Sequence, residues 1–406
     1  MAQGTRRIAR TILVHRHGDR TTIAPLGAAH VAAWRARLPS RAVAAALRER
    51  HPLRVDGGGE ATDAWLNRTV GGEGAVWGQL TQVGVDQLYA LGRDMRCGNG
   101  VDDLPLEPSA VSVFSTGRLR TVQSTSSLLN GLLSENVEVV VGASAAAAMV
   151  PDDPAKMSSR QLELRDAHFA GDAVRAAEDA MEGVREHLVR AMDESGILAA
   201  PAAEASWEGL FEVLHCHAAH GALDVALPSL DADAAAELTA LAGQHVTDRW
   251  FGLYGSSAEY ARLSIGRFVG HLGAVMAPHD RRDTHPSLVC APRVHRLEGS
   301  GPELSVFSAH DSTLTALIQA LGITPIGGGS WTDIPPYASC LRIDVDVACE
   351  GSEGEEPRVR FRFNGTDVEH CGAERPALST VLDRFASRAW VGDPLDPAVG
   401  AGPEFS

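Results

Sequence analysis

Two arginines and two histidines stand within six positions of the stretch LVHRHGDRTT, which runs from Leu13 to Thr22. These side chains directly follow the apolar run IARTILV, so they come at the end of a predicted strand. Guanidinium groups bind phosphate oxygens through paired hydrogen bonds, and imidazole is a nucleophile or a proton carrier. The cluster therefore indicates chemistry on an anion, with a phosphoryl group as the first candidate.

The rest of the chain has an excess of acidic residues, which makes this basic cluster unusual. The 406 residues include 36 Lys and Arg against 52 Asp and Glu, for a formal net charge of -16. Proteins that bind nucleic acid need a basic face to neutralise phosphates, so this balance argues against nucleic acid as the main partner. Any anion site must be local.

Two other predicted strands end in side chains of the same kind. FSTGRLR carries Arg118 and Arg120 after one apolar run, and FSAHD carries His310 and Asp311 after another. Because ligands of parallel α/β sheets bind at the carboxyl ends of the strands, we expect one site there. We interpret Arg118 as a solvated surface charge, because it lies two residues from the better-placed Arg120. The predicted site residues are Arg16, His17, Arg20, Arg120, His310 and Asp311.

Strands alternate with helices at both ends of the chain. TQVGVDQLYALGRDM predicts a helix with Thr81 as its N-cap, and STLTALIQALG predicts a helix that ends at Gly322. SCLRIDVDV and RVRFRFN alternate as the two strands of a hairpin should. The predicted fold class is therefore α/β, with a mainly parallel sheet flanked by helices.

The middle of the chain has a different composition. Residues 151–278 are Ala-rich and helix-like, which predicts a helical insertion (cap) domain. The α/β core would then consist of residues 1–150 and 279–395, with residues 396–406 as a loose tail. The segment Ala24–Gly78, rich in Gly, Arg and Ala, is expected to be a long loop over the sheet edge.

Compartment and cysteine chemistry are indicated only indirectly. No apolar run approaches the roughly 20 residues that cross a bilayer, and the start MAQGTRRIAR has no signal-peptide character. We therefore expect no integral membrane segment and favour a cytoplasmic location. The six cysteines are scattered, which favours free thiols, whereas the glycosylation sequons at Asn67 and Asn364 point the other way. The oligomeric state is left open.

The combination of RHGDR near the start with HD near the end resembles the histidine acid phosphatase branch of the histidine phosphatase superfamily. GQLTQVGVDQLYALGRDMR, STGRLRT and AHDSTLTALIQALG are similar to further motifs of that family, and PPYAS with RFRFNG resembles its hairpin. The matches extend from Leu13 to about Phe385. STGRLRTVQS and FEVLHCHAAHG look most like the lysophosphatidic acid and phosphoxylose phosphatases.

This resemblance implies a phosphoglycerate-mutase-like core and hydrolysis of a small phosphate monoester. His17 would be the nucleophile that forms a phosphohistidine, and Asp311 would be the proton donor. The phosphoryl oxygens would be held by Arg16, Arg20, Arg120 and His310. The family needs no cofactor and no metal, so we expect neither.

The chain departs from the family pattern at two places. Thr22 stands where the family often has proline, and RPAL stands where the family has CPL, which removes the usual disulfide partner of Cys371. Asp19, inside RHGDR, is a second candidate for the proton donor. Asp311 is preferred because the donor of the family aligns with the HD pair, and we expect Asp19 to position an arginine instead.

Other interpretations of the same residues stay open. A phosphoglycerate-mutase-like phosphotransfer also uses a phosphohistidine, but that branch takes its acid from a glutamate. An inactive phosphate- or lipid-binding homologue is the third possibility, although every expected catalytic position is occupied. HCHAAH places His215, Cys216, His217 and His220 together, which could form a metal site or serve structure, and we favour the structural use.

Overall fold

A nine-stranded mixed sheet forms the centre of the computed structural model. The structure describes residues 6–56, 76–97, 107–142, 148–151, 153, 157–277, 303–327, 331, 333–348 and 355–389. In chain order the strands are β1 Arg6–Arg16, β2 Leu53–Asp56, β3 Val111–Ser115, β4 Val139–Gly142, β5 Glu303–Ala309, β6 Ile323–Pro325, β7 Cys340–Ala348, β8 Arg358–Phe363 and β9 Thr366–His370.

The sheet has a parallel half and an antiparallel half. Its strand order is β2-β4-β3-β5-β1-β7-β8-β9-β6. The first five strands in this order pair in parallel, and every pairing from β1–β7 onward is antiparallel. The register aligns Ser115 with Ser308 and Arg16 with Ala309, so β1, β3 and β5 end at the same edge. The predicted α/β class with a mainly parallel core sheet is confirmed.

Twelve α-helices lie within the described residues. They are α1 Ala28–Arg35, α2 Arg41–Glu49, α3 Gln82–Arg96, α4 Leu119–Leu132, α5 Ser159–Phe169, α6 Asp172–Ser195, α7 Trp207–Ala219, α8 Leu223–Ala226, α9 Ala232–Ser256, α10 Ala258–Met276, α11 Asp311–Leu321 and α12 Leu378–Arg388.

Strand β1 shows why the sheet must be covered on both faces. Its run Ile12, Leu13 and Val14 has no exposed residue. Ile12 and Val14 pack in the core cluster that contains α10, α11 and α12, whereas Leu13 packs in the cluster with α3 and α4. Successive side chains of a strand point to opposite faces, so a continuous apolar run needs a layer of helices on each side.

The expected long loop over Ala24–Gly78 is wrong for the described part of that segment. It contains helices α1 and α2 and strand β2, which pairs in parallel with β4 at the sheet edge. The residues that suggested a loop, Ala and Arg, are good helix formers. Ser40 caps α2, accepting a hydrogen bond from the N–H of Val43. Residues 57–75, including the sequon at Asn67, lie outside the described residues.

Helices α5 to α10 fill the described part of the predicted insertion, residues 157–277. Helices α7 and α9 pack in a second core with part of α6. Helix α10 packs differently, because Phe268, Val269 and Leu272 belong to the same core as the sheet. The proposed domain boundaries stay predictions.

The predicted hairpin of β7 and β8 is antiparallel, and its connecting residues 349–354 lie outside the described part. Cys97, Cys216, Cys340 and Cys371 are free thiols. Cys290 and Cys349 lie in segments that the structure does not describe. Over the described ranges, no helix is long and apolar enough to cross a membrane.

Candidate active site

A cavity of about 570 Å³ opens where β1, β3 and β5 end. Helices α7 and α9 and the segment before β7 form its other walls. The residues that line it are Arg16, His17, Arg20, Ile23, Ala24, Arg118, Arg120, Val150, Asp153, Glu208, Gly209, Phe211, Glu212, His215, Val246, Trp250, His310, Asp311, Ser312, Ile334 and Tyr337. All six residues predicted for the site are among them.

His17 is the first residue after β1, and its ring is almost completely buried at 2% exposure. Its Nδ1 lies 2.8 Å from the carbonyl oxygen of Gly18. A carbonyl can only accept, so Nδ1 carries the proton and the lone pair of the neutral ring is on Nε2. Burial, followed by the charge of Arg120, lowers the pKa of His17 well below its usual value. The imidazole is therefore neutral and nucleophilic at Nε2.

The turn after His17 packs directly on the first turn of α3. A Cβ added at Gly18 would lie 2.3 Å from the carbonyl oxygen of Gly84, and one added at Gly84 would lie 2.2 Å from that of Asp19. Such distances leave no room for a side chain at either position. The glycines of RHG and of LTQVG are therefore explained by one close contact between the two backbones.

Arg16 is held on three sides at the end of β1. One amino group donates to the carbonyl oxygen of Pro335 at 2.6 Å, and the other lies 2.6 Å from a carboxylate oxygen of Asp311. The guanidinium stacks over the ring of Tyr337, 4.2 Å from its centroid. These contacts fix the guanidinium beside His17, while its Nε is buried and meets no hydrogen-bond partner in the described ranges.

Arg20 connects the turn after β1 to helix α7. It forms a buried ion pair with Glu212, and the same carboxylate accepts the N–H of Ile23 at 2.8 Å. Arg20 also donates to the carbonyl oxygen of Thr21 at 3.0 Å. Because Glu212 holds both the guanidinium and the backbone beside it, α7 sets the position of this cation.

Arg120 lies in the first turn of α4, after β3. Its Nε is buried and has no hydrogen-bond partner within the part of the chain that the structure describes. Burial and the neighbouring charges of Arg20 and Arg118 lower the pKa of Arg120 to about 9. An arginine still carries its charge at neutral pH, so a bound anion would relieve the repulsion between these cations. Arg118, expected to be a solvated surface charge, is only partly exposed and also lines the cavity.

His310 follows β5 and is the N-cap of α11. Its Nε2 lies 3.1 Å from the hydroxyl of Thr116, at the end of β3. Burial and then the charge of Arg120 lower the pKa of His310 well below its usual value. A neutral ring at this place can donate a hydrogen bond to an anion without adding another charge.

Asp311 is the first residue of α11, and one of its oxygens accepts the N–H of Ser312 at 2.9 Å. Burial alone would raise the pKa of this carboxyl, but the charges of Arg16 and Arg20 lower it below its usual value. The side chain is 21% exposed, so it reaches the cavity. Without a bound anion, Asp311 is therefore ionised.

Among the residues that the structure describes, Asp19 forms no hydrogen bond or ion pair with an arginine, which corrects the expectation for this residue. Its buried carboxylate accepts the hydroxyl of Thr81, the N-cap of α3, and lies 2.7 Å from Nε2 of His220. Asp19 is absent from the cavity wall and has no exposed surface. It faces away from the cations because the residue after Gly18 turns toward α3 and α7.

The other residues of HCHAAH take separate places around α7. His215 lines the cavity, and its ring centroid lies 4.9 Å from that of Tyr337. His217 bonds the carbonyl oxygen of Val213 at 2.8 Å and packs edge-on against Trp34. No group of three possible metal ligands exists among the residues that the structure describes.

Several cavity residues were not foreseen from the sequence. Glu212 and Phe211 come from α7, Trp250 comes from α9, and Tyr337 comes from the segment before β7. Tyr337 stood in the quoted motif PPYAS, and Glu212 stood in FEVLHCHAAHG. Neither motif shows which member points at the site, because that depends on how the helices pack on the sheet edge.

Chemically, the cavity combines a neutral nucleophile, a cluster of cations and a carboxyl group. The unpartnered nitrogens on Arg16, Arg20 and Arg120 are donors suited to the oxygens of a phosphoryl group. The carboxyl of Asp311 lies beside the same cations. This set can bind a phosphate ester, attack its phosphorus and supply a proton to the departing oxygen.

Comparisons with known proteins agree with this chemistry. Residues 7–183 match the family model of the histidine phosphatase superfamily (branch 2). Lysophosphatidic acid phosphatase type 6 of Mus musculus is 24% identical over 385 residues, which cover 92% of this chain and 82% of the relative. The protein of the same name from Bos taurus is 26% identical over 331 residues, which cover 80% of this chain and 68% of the relative.

Solved structures share the fold. Hafnia alvei phytase in complex with myo-inositol hexakis sulphate aligns with a TM-score of 0.63 and 12% identity, covering 96% of this chain and 98% of the phytase. The phytase of Citrobacter braakii aligns with a TM-score of 0.58 and 15% identity, covering 95% of this chain and 98% of that phytase. At such identities the likeness establishes the fold alone. The match of residues 7–183 and the curated relatives show that this chain is similar to phosphatases of branch 2 of the histidine phosphatase superfamily, and the solved structures show that it has the fold of these phytases.

Proposed function

We propose that this phosphatase hydrolyses phosphate monoesters in two steps, through a phosphohistidine on His17, with Asp311 as proton donor. The observation that carries this proposal is the hydrogen bond from Nδ1 of His17 to the carbonyl oxygen of Gly18. It leaves the lone pair of the ring on Nε2, at a cavity whose wall includes four arginines. A neutral imidazole among buried cations is suited to attack phosphorus.

In the first step, Nε2 of His17 forms a bond to phosphorus while the bond from phosphorus to the ester oxygen breaks. The proton of Asp311 goes to that oxygen, which leaves as an alcohol. In the second step, Asp311 takes a proton from water as the water oxygen attacks phosphorus and the bond to Nε2 breaks. Phosphate is released, and both side chains return to their starting states.

The phosphoryl oxygens would be held by Arg16, Arg20, Arg120 and His310. Charge builds up on these oxygens in the transition state, so fixed donors around them stabilise it more than they stabilise the substrate. Buried guanidinium Nε atoms on the three arginines support this role. Arg16 also holds Asp311 at 2.6 Å, which places the acid beside the group being transferred.

Because the pKa of Asp311 is low, its carboxyl must first be protonated before it can act as an acid. The surrounding cations favour its ionised form, but a bound phosphate dianion would neutralise them and raise the pKa of the carboxyl. The proposal therefore requires activity on poor leaving groups to be highest at acidic pH and to fall as pH rises.

The walls beyond the arginines favour a substrate with one phosphate on an apolar alcohol. Apolar residues contributed from several segments line the cavity: Ile23, Ala24, Val150, Phe211, Val246, Trp250 and Ile334. Acidic side chains of α7 share that wall: Glu212 is paired with Arg20 and Glu208 with Arg249, and neither can bind a second phosphate. A lysophosphatidic acid, the substrate in the names of the two curated relatives, has this form.

The decisive experiment is to trap the intermediate. Purified protein is mixed with a labelled aryl phosphate, quenched, and mapped for phosphate on histidine, with His17→Ala as the matched variant. We expect label on His17 and essentially no turnover by the variant. Absence of hydrolysis by the unaltered protein would favour an inactive binding homologue. Transfer of the phosphoryl group to an added alcohol or sugar phosphate in place of water would favour mutase-like phosphotransfer.

A further inference from the structure

One peptide unit stands between His17 and helix α3. The carbonyl oxygen of Gly18 accepts the Nδ1 proton of His17 at 2.8 Å. The N–H on the other side of the same peptide, which belongs to Asp19, donates to Oε1 of Gln87 at 2.8 Å. The two hydrogen bonds therefore form a continuous chain from the side chain of Gln87 to the imidazole of His17.

The chemistry of the groups decides the orientation of Gln87. A backbone N–H can only donate, so the side-chain atom facing Asp19 must be the amide oxygen. Gln87 lies in α3, whose first turn is fixed by the Thr81 cap and by the close contact of Gly84 with the turn after His17. The acceptor is thus held in place by a capped helix that packs against the turn.

We propose that Gln87 is a positioning residue for the nucleophile, acting on His17 through the peptide between Gly18 and Asp19. Accepting the N–H polarises this peptide and makes its carbonyl oxygen a stronger acceptor, because hydrogen bonds in series reinforce one another. The stronger acceptor keeps the proton on Nδ1 and the lone pair on Nε2. This inference rests on the proposed role of His17 as the nucleophile.

The carbonyl oxygen of Gly18 should stabilise the His17 ring more in the phosphorylated intermediate than in the resting protein. When Nε2 bonds to phosphorus, the proton stays on Nδ1 and the ring gains positive charge. A hydrogen bond to a charged ring is stronger than one to a neutral ring, so the polarised carbonyl stabilises the phosphorylation step more than substrate binding. Loss of the acceptor should therefore lower kcat and leave KM nearly unchanged.

A purely structural role is the competing explanation, since Gln87 also satisfies a buried backbone donor. Three variants distinguish the positioning role of Gln87 from a purely structural one. Gln87→Met has a similar shape but accepts no strong hydrogen bond, and Gln87→Glu keeps an acceptor at the same place. Gln82→Met is the matched control, because Gln82 lies on the same helix and its side-chain amide donates to Asp86 at 2.9 Å.

The measurements are single-turnover phosphorylation rates and the ¹⁵N and ¹H NMR signals of the His17 ring, assigned by their loss in His17→Asn. We expect Gln87→Met to slow phosphorylation about fivefold to tenfold with KM within twofold, the size expected for one hydrogen bond. Its Nδ1 proton should move upfield as the hydrogen bond weakens. Gln87→Glu and Gln82→Met should stay within about threefold of the unaltered protein.

An unchanged Nδ1 proton signal in Gln87→Met, or a loss of kcat that Gln87→Glu does not restore in a folded variant, would overturn the proposal. A folded Gln87→Met protein with lower melting temperature but normal phosphorylation would make Gln87 structural only. These results are distinct from a failure of the proposed function, which would appear as phosphate on a residue other than His17 in the unaltered protein.

Discussion

The cavity has two walls that differ in origin and in chemistry. The wall at the sheet edge carries the arginines together with His17 and His310, and each of them lies at or just after the end of β1, β3 or β5. The opposite wall comes from α7 and α9 and presents apolar and acidic side chains, such as Phe211, Glu212 and Trp250. The comparison suggests that phosphoryl chemistry belongs to the sheet edge, whereas recognition of the leaving group belongs to the helices.

One contact joins the two walls. Glu212 of α7 binds Arg20 and the backbone N–H of Ile23, so a helical side chain holds part of the cationic wall. Cys216, one turn further along α7, lies 3.2 Å from the hydroxyl of Tyr337. The two walls therefore carry different side-chain chemistry, but direct contacts from α7 hold them together.

The largest test of the sheet-edge wall is Asp311→Asn. If Asp311 protonates the departing oxygen, hydrolysis of alkyl phosphates should fall by about 10²-fold to 10⁴-fold, the range typical of general acid catalysis. An activated aryl phosphate, whose phenolate leaves without a proton, should be affected much less. The check is the rate of hydrolysis of both substrates, measured across pH. For the unaltered protein this rate should fall as pH rises, and the fall should be absent in the variant.

Asp19→Asn is the control for that result. Asp19 contacts Thr81 and His220 instead of the cavity, so its variant should leave the dependence on the leaving group unchanged. If Asp311→Asn slows both substrates equally and Asp19→Asn acquires the leaving-group sensitivity, the proton donor is the aspartate inside RHGDR.

A smaller but sharp test compares two arginines on the same wall. Arg120→Ala should lower kcat/KM by about 100-fold or more, because it removes a preorganised donor to the transition state. Arg118→Ala should have a far milder effect, although Arg118 also lines the cavity. The measurement is steady-state kinetics on one aryl phosphate. Equal losses at the two positions would mean that both arginines hold the phosphoryl group.

The helical wall is tested by Trp250→Ala. Trp250 should contact an apolar leaving group, so its loss should raise KM roughly tenfold for a long-chain monoester, consistent with the loss of one buried apolar contact. A small aryl phosphate should be hydrolysed almost normally. Leu241→Ala is the control, because Leu241 lies on the same helix and is 40% exposed. An equal loss of activity on the long-chain monoester and the aryl phosphate would show that the helical wall does not act on the leaving group alone.

The smallest effect concerns stability on the sheet side. His271 of α10 is buried beside Phe114 and Phe307, and neither ring nitrogen has a hydrogen-bond partner among the described residues. Burial lowers the pKa of His271 from 6.5 to about 4. Between these values the unfolded chain binds a proton that the folded protein excludes, so the free energy of unfolding must fall as pH drops from about 6.5 to about 4.

Each such histidine lowers the free energy of unfolding by up to about 1.4 kcal/mol for every pH unit by which the pH drops within that interval. His271→Leu should therefore flatten the pH dependence of the unfolding free energy, measured by denaturant titration at several pH values. His187→Leu, at a histidine in the middle of α6, serves as the comparison on the helical side. A slope that is unchanged in His271→Leu would show that this ring is protonated in the folded protein.

The sequence by itself determined the fold class and the composition of the cationic wall. Buried apolar runs followed by RHGDR, STGRLR and HD predict parallel strands whose ends meet, because both the strand period and the direction of the chain are local properties. The hairpin of β7 and β8 was predictable for the same reason. The roles of these side chains in catalysis stay predictions.

Only the tertiary structure decided the rest of the site. Asp19 meets His220, which lies 201 positions away, and Arg20 meets Glu212 at a separation of 192. No local period encodes such pairs, because they depend on how α7 packs against the sheet edge. Helices α1 and α2 were missed because a segment rich in Gly and Arg looks like a loop until burial of Trp34 and Leu47 stabilises its helices. Side-chain direction in packed helices is set by distant contacts, and these form only in the folded chain.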